Sequence, residues 1–334
     1  YTMNNHNDSY YFLKRQVLWC LLGTGLLLIT KNINYHKLHQ FTYPIMIFTF
    51  LLLIVVMFPE FSKKVGGARR WLTLGGFSFQ PSELAKFTLV LFIAKSLVKR
   101  AYKLRNFAYG YLPNLIVLGF FFIPILFQPD FGTAMIICTV TFTMLFIAGL
   151  RKKFLFLSIL AIVPFIASAI LTAEYRTQRI ISFLNPWEDP TGKGFQVIQS
   201  FYAFGRGGFW GTGLGAGHQK LFHLPEAHTD FIFSVIGEEL GFVGTTGIVL
   251  LFSIFIWRGF MTAYRAKDPF GTHLATGLTL LIGLQAFINL GVASGLLPTK
   301  GLPLPFISMG GSSMMVTMLS VGVLLNISEQ TVRR

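Results

Sequence analysis

Asp230 ends the polar stretch Leu224-Pro225-Glu226-Ala227-His228-Thr229-Asp230, where it meets a long apolar run that begins at Phe231. A carboxylate at such a junction has two readings. It can be an N-terminal helix acid with His228 as a solvated neighbour, or a general base that takes a proton from a bound hydroxyl. Glu83 and Lys86, in Gln80-Pro81-Ser82-Glu83-Leu84-Ala85-Lys86, pose a similar choice. Three residues apart, they share one helical face and can pair. Ionisable groups in an apolar run are functional candidates by default, and the alternative is an ion pair that locks two helices. Pro81 fits a first helical turn, with Ser82 helping to cap it. Asp130, in Gln128-Pro129-Asp130-Phe131-Gly132-Thr133, is read as a helix cap. Lys300 lies in Leu297-Pro298-Thr299-Lys300-Gly301-Leu302-Pro303-Leu304-Pro305, a broken segment that leads through Gly310-Gly311-Ser312-Ser313. Broken backbone at membrane depth is tolerated where it is buried or lines a cavity, so Lys300 is expected to face one.

A second group of residues is cationic. Lys63, Lys64, Arg69, Arg70, Arg176, Arg179, Lys193, Arg206 and Lys220 lie on Gly-, Pro- and aromatic-rich connections rather than in apolar runs. They are either neutral decoration of long loops or a means of holding an anion. Gly205, Gly207, Gly208, Gly211, Gly213, Gly215 and Gly217 follow. With no Gly-Lys-Ser/Thr and no strand before them they are not a Walker site, and a flexible loop is the simpler reading. Glu238 and Glu239, deeper in the next apolar run, are read as interior partners.

The elements that must position these groups are transmembrane helices. Of 334 residues 53% are hydrophobic, 16% aromatic and only 12% charged, with a mean hydropathy of +0.61. Soluble domains carry about 25% charged residues, so an ordinary soluble enzyme and a disordered chain are both excluded. About nine apolar runs are long enough to cross a bilayer: 16–30, 41–58, 83–98, 112–127, 131–148, 154–171, 231–256, 272–294 and 313–327. The predicted class is an all-α polytopic membrane protein forming one domain over residues 1–334. Phe195–Phe204 is too short to span and reads as a re-entrant or interfacial segment of a large loop, 173–230. Lys31–Gln40, Lys99–Tyr111, Gly149–Lys153 and Trp257–Gly271 are short and basic, which places them in the cytoplasm, 173–230 outside and the C-terminus inside. In that setting the net charge of +15 reads as loops facing anionic lipid, not as a nucleic-acid surface. Cys20 and Cys138 sit inside apolar runs and form no disulfide framework. The polar, Asn-rich start is not a signal peptide, and an odd span count with an outside start suggests one further helix before Tyr1.

Taken together, these blocks resemble the SEDS family of bacterial cell-wall polymerases. The matching stretches are Gly67-Ala68-Arg69-Arg70-Trp71, Gln80–Lys86, Gln128–Thr133, Asn185-Pro186-Trp187-Glu188-Asp189-Pro190, Leu224–Phe233 and Leu297–Ser313. Lys300 in Leu-Pro-Thr-Lys-Gly is similar to the family's division type, and Met309 replaces a customary aromatic. The resemblance implies a peptidoglycan glycosyltransferase that polymerises lipid II during septal wall synthesis, in the bacterial cytoplasmic membrane. It implies that Asp230 is the essential acid and that Glu83 and Lys86 face the same cavity. It also implies one span more than the chain shows, and a class B penicillin-binding transpeptidase with other division proteins as partners. Inverting displacement of a pyrophosphate needs a base and positive charge, for which Arg69, Arg70, Lys86, Arg206 and Lys300 are candidates. His228 and Ser312, in matched motifs, join the expected substrate-binding set. A divalent cation, Mg or Mn, is compatible with this chemistry, but no ligand spacing demands one.

Two other functions fit part of the pattern. Intramembrane charge and broken helices also suit a lipid II flippase. A non-catalytic division scaffold leaves the buried charges unexplained. Polymerisation of lipid II by purified protein in detergent, where no second leaflet exists, separates the enzyme from both.

Overall fold

The computed structural model describes residues 10–65, 67–74, 77–171, 174–192, 194–217 and 229–332. A helix occupies each predicted span: α1 (Tyr11–Asn32), α2 (Tyr35–Val55), α3 (Pro81–Lys99), α4 (Leu112–Phe127), α5 (Phe131–Ile147) and α6 (Lys152–Leu171). Two shorter helices follow, α7 (Glu174–Leu184) and α8 (Phe195–Gly207), and then the long α9 (Ile232–Arg265), α10 (Pro269–Ala293) and α11 (Gly311–Val332). Among the described residues six helices are long and apolar enough to cross a membrane, and α5 is a shorter apolar helix. Helix α3 has the length but carries Glu83, Lys86, Lys95 and Lys99. Two basic connections are shorter than expected. Helix α9 runs on to Arg265, and only residues 33–34 separate α1 from α2.

The chain divides into two compact units. The first holds Gln16–Leu157, Ile256–Leu284 and Gly311–Arg334. Its centre is α3, buried on every side from Pro81 to Leu97 apart from Leu84 and Lys95. Helix α3 packs on α2, α4, α5 and α11, and Thr49 and Thr88 hydroxyls meet at 3.0 Å across the α2–α3 contact. A helix buried all round must have its polar groups satisfied internally, and this one carries Ser82, Glu83, Lys86 and Thr88.

Ahead of α3 lies an antiparallel sheet, β1 (Ser62–Val65), β2 (Ala68–Leu74) and β3 (Phe77–Phe79), in the order β1-β2-β3. By composition this stretch reads as a glycine-rich loop. Its strands instead pair as two successive hairpins, and Gly67, between β1 and β2, takes a φ of 80°, a conformation that favours glycine.

The second unit holds Tyr1–Arg15, Ser158–Phe255 and Gln285–Gly310. Its core gathers Phe231, Phe233, Val235, Phe252, Ala286, Val292, Ala293 and Leu304. The expected short segment is the 13-residue helix α8, joined to α9 where the hydroxyls of Ser200 and Ser234 meet at 2.6 Å.

Helix α9 breaks at Gly241, where φ is 64° and ψ −159°. A break in a helix strands carbonyls before it and amides after it, and these must be paired. The glycine-rich segment after α8 does this. Thr212 and Gly213 amides donate to the Glu238 and Glu239 carbonyls, both at 3.0 Å. In return the Phe242 amide donates to the Gly208 carbonyl at 2.9 Å, and the Val243 amide to the Phe209 carbonyl at 3.3 Å. The approach is close enough that a side chain at Gly207 or Gly211 would run into the Gly237 or Glu239 carbonyl. The glycines therefore clamp a helix break rather than forming a slack loop.

Candidate functional site

The first unit contains a buried polar cluster at the head of α3. Glu83 and Lys86 are 3% and 2% exposed and pair at 2.9 Å between Oε1 and Nζ. The i,i+3 spacing brings them together, and burial makes the contact one that neither charge can lose cheaply. Beside them Asp130 caps α5 by accepting from the Thr133 amide at 3.2 Å, as expected. Its other oxygen accepts from Ser82 Oγ and Gln80 Nε2, both at 3.1 Å. Gln80, rather than Ser82, is the N-cap residue of α3, with no side-chain cap. The hydroxyl of Ser82 is turned to Asp130 instead. Ser312 is buried and accepts from the Gln80 amide at 2.9 Å, so it anchors the entry to α3.

Arg69 and Arg70 separate. The β1–β2 register is irregular here: Lys63 pairs with Trp71 and Lys64 with Arg69, which leaves Arg70 as the extra residue between two paired ones. Arg70 donates from Nε to the Gln128 carbonyl at 2.8 Å and from a terminal nitrogen to the Pro129 carbonyl, tying β2 to the α4–α5 junction. Arg69 is half-buried and lies directly across from Lys64 in the β1–β2 register. Two like charges facing each other across strands are unfavourable unless an anion lies near.

The second unit contains Asp230, half-buried at the start of α9. The carboxylate comes up against the Gly301 backbone. A side chain on Gly301 would lie 3.2 Å from Oδ2, so the small residue after Lys300 makes room for the acid. Asn289, buried inside α10, joins the two segments. One amide group donates to the Asp230 carbonyl at 3.0 Å and to the Leu302 carbonyl at 2.7 Å. Gln285, one turn earlier, donates to the Pro303 carbonyl at 2.9 Å. Ser308 Oγ donates to the Thr229 carbonyl and accepts from the Leu304 amide at 2.7 Å. The irregular 297–308 segment is thus hydrogen-bonded to the acid's own backbone, as non-helical backbone inside a membrane protein requires.

Lys300 is half-buried, and burial holds its ammonium below the usual lysine range. That desolvation cost is one that a bound anion would offset. Arg179 on α7 reaches the Thr299 carbonyl at 3.4 Å. Arg206 is exposed on the last turn of α8. Glu238 is fully buried, and its carboxylate and that of Glu239 converge on Gly217, where a side chain would lie 3.0 Å from an oxygen of each. His228, Lys193 and Lys220 lie outside the described residues.

Asn289, Gln285 and Ser308 are the site residues that sequence reasoning missed. The signal was present: Gln285 and Asn289 are two amides four apart on one face of an otherwise apolar span. Among the described residues no group of three or more His, Cys, Asp or Glu side chains comes together as a metal site.

The nine long helices among the described residues, the broken segments and the buried charges define a polytopic helical membrane protein with an ionisable site at helix ends. The profile of the FtsW/RodA/SpoVE family of cell cycle proteins matches residues 1–333, and the chain belongs to that family. A Geobacter metallireducens protein named a probable peptidoglycan glycosyltransferase FtsW is 46% identical over 324 residues, 97% of this chain and 86% of that one. Stage V sporulation protein E of Bacillus subtilis is 43% identical over 324 residues, 97% of this chain and 88% of the relative. Among solved structures, a chain of a peptidoglycan synthase complex that coordinates polymerization and crosslinking superposes with a TM-score of 0.82 at 30% identity, covering 100% of this chain and 94% of that one. The rod shape determining protein RodA of Thermus thermophilus gives 0.71 at 27% identity, covering 100% and 92%.

Proposed function

We propose that this protein is a peptidoglycan glycosyltransferase of cell division, which polymerises lipid II into β(1→4) glycan strands with inversion. The observation that carries the reading is the seating of the Asp230 carboxylate against Gly301, next to Lys300, in a chain whose relatives are named glycosyltransferases. In the reaction, the acceptor 4-hydroxyl oxygen bonds to the anomeric carbon of the donor. The bond from that carbon to the pyrophosphate oxygen breaks, and the electron pair leaves with the undecaprenyl pyrophosphate. Asp230 takes the hydroxyl proton, and Lys300, with Arg69 and Arg206, offsets the charge that gathers on the leaving group. Glu83 and Lys86 complete the proposed machinery. His228 and Ser312 belong to the substrate-binding set, Ser312 through the entry to α3, which it anchors. Arg70, which holds β2 to the α4–α5 junction with two of its donors, belongs to the same substrate-binding set.

The test is glycan polymer from purified protein, lipid II and a class B penicillin-binding transpeptidase, the proposed partner, supported by the fold shared with a synthase complex. Detergent removes the second leaflet, so a flippase or a scaffold gives no polymer. Within that assay Lys300→Met should cut polymer by roughly 10²-fold or more, as loss of a charge-stabilising donor does, while Lys300→Arg recovers part. Normal polymer from the methionine variant would make Lys300 a snorkelling side chain.

The proposed location is the bacterial cytoplasmic membrane at the septum, with 173–230 outside, because Lys99–Arg105 and Arg151–Lys153 hold their connections in the cytoplasm. Cysteines placed singly at Gly192 and Lys103 should then react oppositely with a membrane-impermeant maleimide in intact cells, Gly192 labelled and Lys103 protected. Labelling at 103 alone would invert the topology.

A further inference from the structure

The connection between α3 and α4 takes no part in the proposed reaction, yet it concentrates charge in an ordered frame. Lys99, Arg100, Lys103 and Arg105 fall together, and no acidic residue occurs between Glu83 and Asp130. A single 3-10 turn, Ala101–Lys103, follows Arg100. Asn106 then accepts from the Ala108 and Tyr109 amides at 3.0 and 3.3 Å, starting the π-helical turn Phe107–Tyr111. Gly110 passes so near the Lys103 carbonyl that a side chain there would collide with it. On the inner side Tyr111 is buried and stacks on Phe154 at 5.7 Å. The backbone between the cations is therefore fixed by its own bonds and by packing.

That frame borders a shallow, half-open pocket of about 260 Å³ lined by Lys99, Arg100, Lys103, Tyr102, Tyr109 and Pro113. Arg100 is oriented by a bond from one terminal nitrogen to Ser96 Oγ at 3.2 Å. The Lys103 ammonium stands 5.6 Å from the centre of the Tyr109 ring. The pocket lies at a definite depth. Tyr109 and Pro113 belong to the first turns of the apolar span Phe107–Phe127, while Lys99 and Arg100 close α3. This is the level at which aromatic rings and lipid phosphates meet.

The helix dipole explains a cation at Lys99, in the last turn of α3, but not Lys103 beyond it. A general preference for basic cytoplasmic loops explains the charge, but not an ordered recess that gathers three cations beside two exposed tyrosines. We infer that this pocket binds the phosphodiester head group of an anionic phospholipid, the phosphate held among Lys99, Arg100 and Lys103 and the acyl chains lying along the start of α4. Basic pockets between transmembrane helices suit such head groups, and the charge-assisted bonds are the strong ones.

The full chain, purified in detergent and titrated with phosphatidylglycerol or phosphatidylcholine, tests this by native mass spectrometry of retained lipid. One phosphatidylglycerol should bind at least roughly tenfold more tightly than phosphatidylcholine. Lys99→Gln with Lys103→Gln, which spares the Arg100–Ser96 bond, should weaken it by roughly 10- to 30-fold, and Lys103→Arg alone should retain it. A control, Lys152→Gln with Lys153→Gln, removes two charges from another connection and should leave binding unchanged. Equal loss in the control, unchanged binding in the pocket variant, or equal retention of the two lipids would each overturn the inference. Displacement of the lipid by millimolar inorganic phosphate alone would also overturn it, marking a site for the free ion.

Discussion

Asp230→Asn should give a folded protein that still binds lipid II and makes roughly 10²- to 10⁴-fold less glycan, the usual contribution of a general base. The substitution keeps the side chain's shape against Gly301 and leaves the Asp230 carbonyl, which Asn289 holds, untouched. What it removes is the ability to accept a proton at neutral pH. A base acts in the transition state, so kcat should fall with little change in KM. A helix-terminal acid predicts otherwise: asparagine caps nearly as well as aspartate, so about a kcal/mol of stability at most is lost and polymer is nearly normal. Lipid II, purified wild-type or variant protein and the transpeptidase partner, with glycan chains resolved on a gel, separate the two. Equal polymer from both proteins would remove Asp230 from the mechanism.

The spans were legible because apolar length and the charged clusters between them are strong signals, and helices stand at all nine places. Asp130 as a cap and Glu83 with Lys86 as a pair were legible too, since caps and i,i+3 contacts are set within a few residues. Contacts between distant segments were not. The sheet at 62–79 was hidden because a glycine-rich sequence also suits a loop, and its strands are only three to seven residues long. Its formation changes the meaning of Arg69 and Arg70, which sequence reading grouped as neighbours: Arg69 pairs with Lys64 in the register, while Arg70 is the extra residue at its irregularity and reaches the α4–α5 junction. The break at Gly241 was hidden for a related reason. A single glycine in an apolar run is compatible with a continuous helix, and only the returning 208–213 segment supplies the bonds that make a break tolerable. The brace around Asp230 depends on Asn289 meeting residues 230 and 302, which no local spacing encodes.

For the Glu83–Lys86 pair, Lys86→Met should destabilise the protein by roughly 3–5 kcal/mol, because it strands a buried carboxylate. Glu83→Leu should also destabilise it, because it removes the carboxylate that faces the buried Lys86 ammonium at 2.9 Å. The double variant, Glu83→Leu with Lys86→Met, removes both charges and fills the space with apolar atoms. Buried ion pairs replaced in this way are often neutral in stability, so thermal unfolding in detergent should return close to wild type. The informative quantity is polymer formation by that stable double variant. An ion pair that only locks α3 in place would be dispensable once its apolar substitute packs, and activity would return with stability. A pair that belongs to the proposed machinery predicts that stability returns while polymer stays at least roughly 10²-fold down, since neither a proton acceptor nor an ammonium remains there. The second outcome is expected. Helix α3 is surrounded by protein on nearly every face, and two charges at its buried head are costly to keep where an apolar pair would pack as well. Recovery of polymer in the double variant would assign the pair to architecture and leave Asp230 and Lys300 to carry the chemistry.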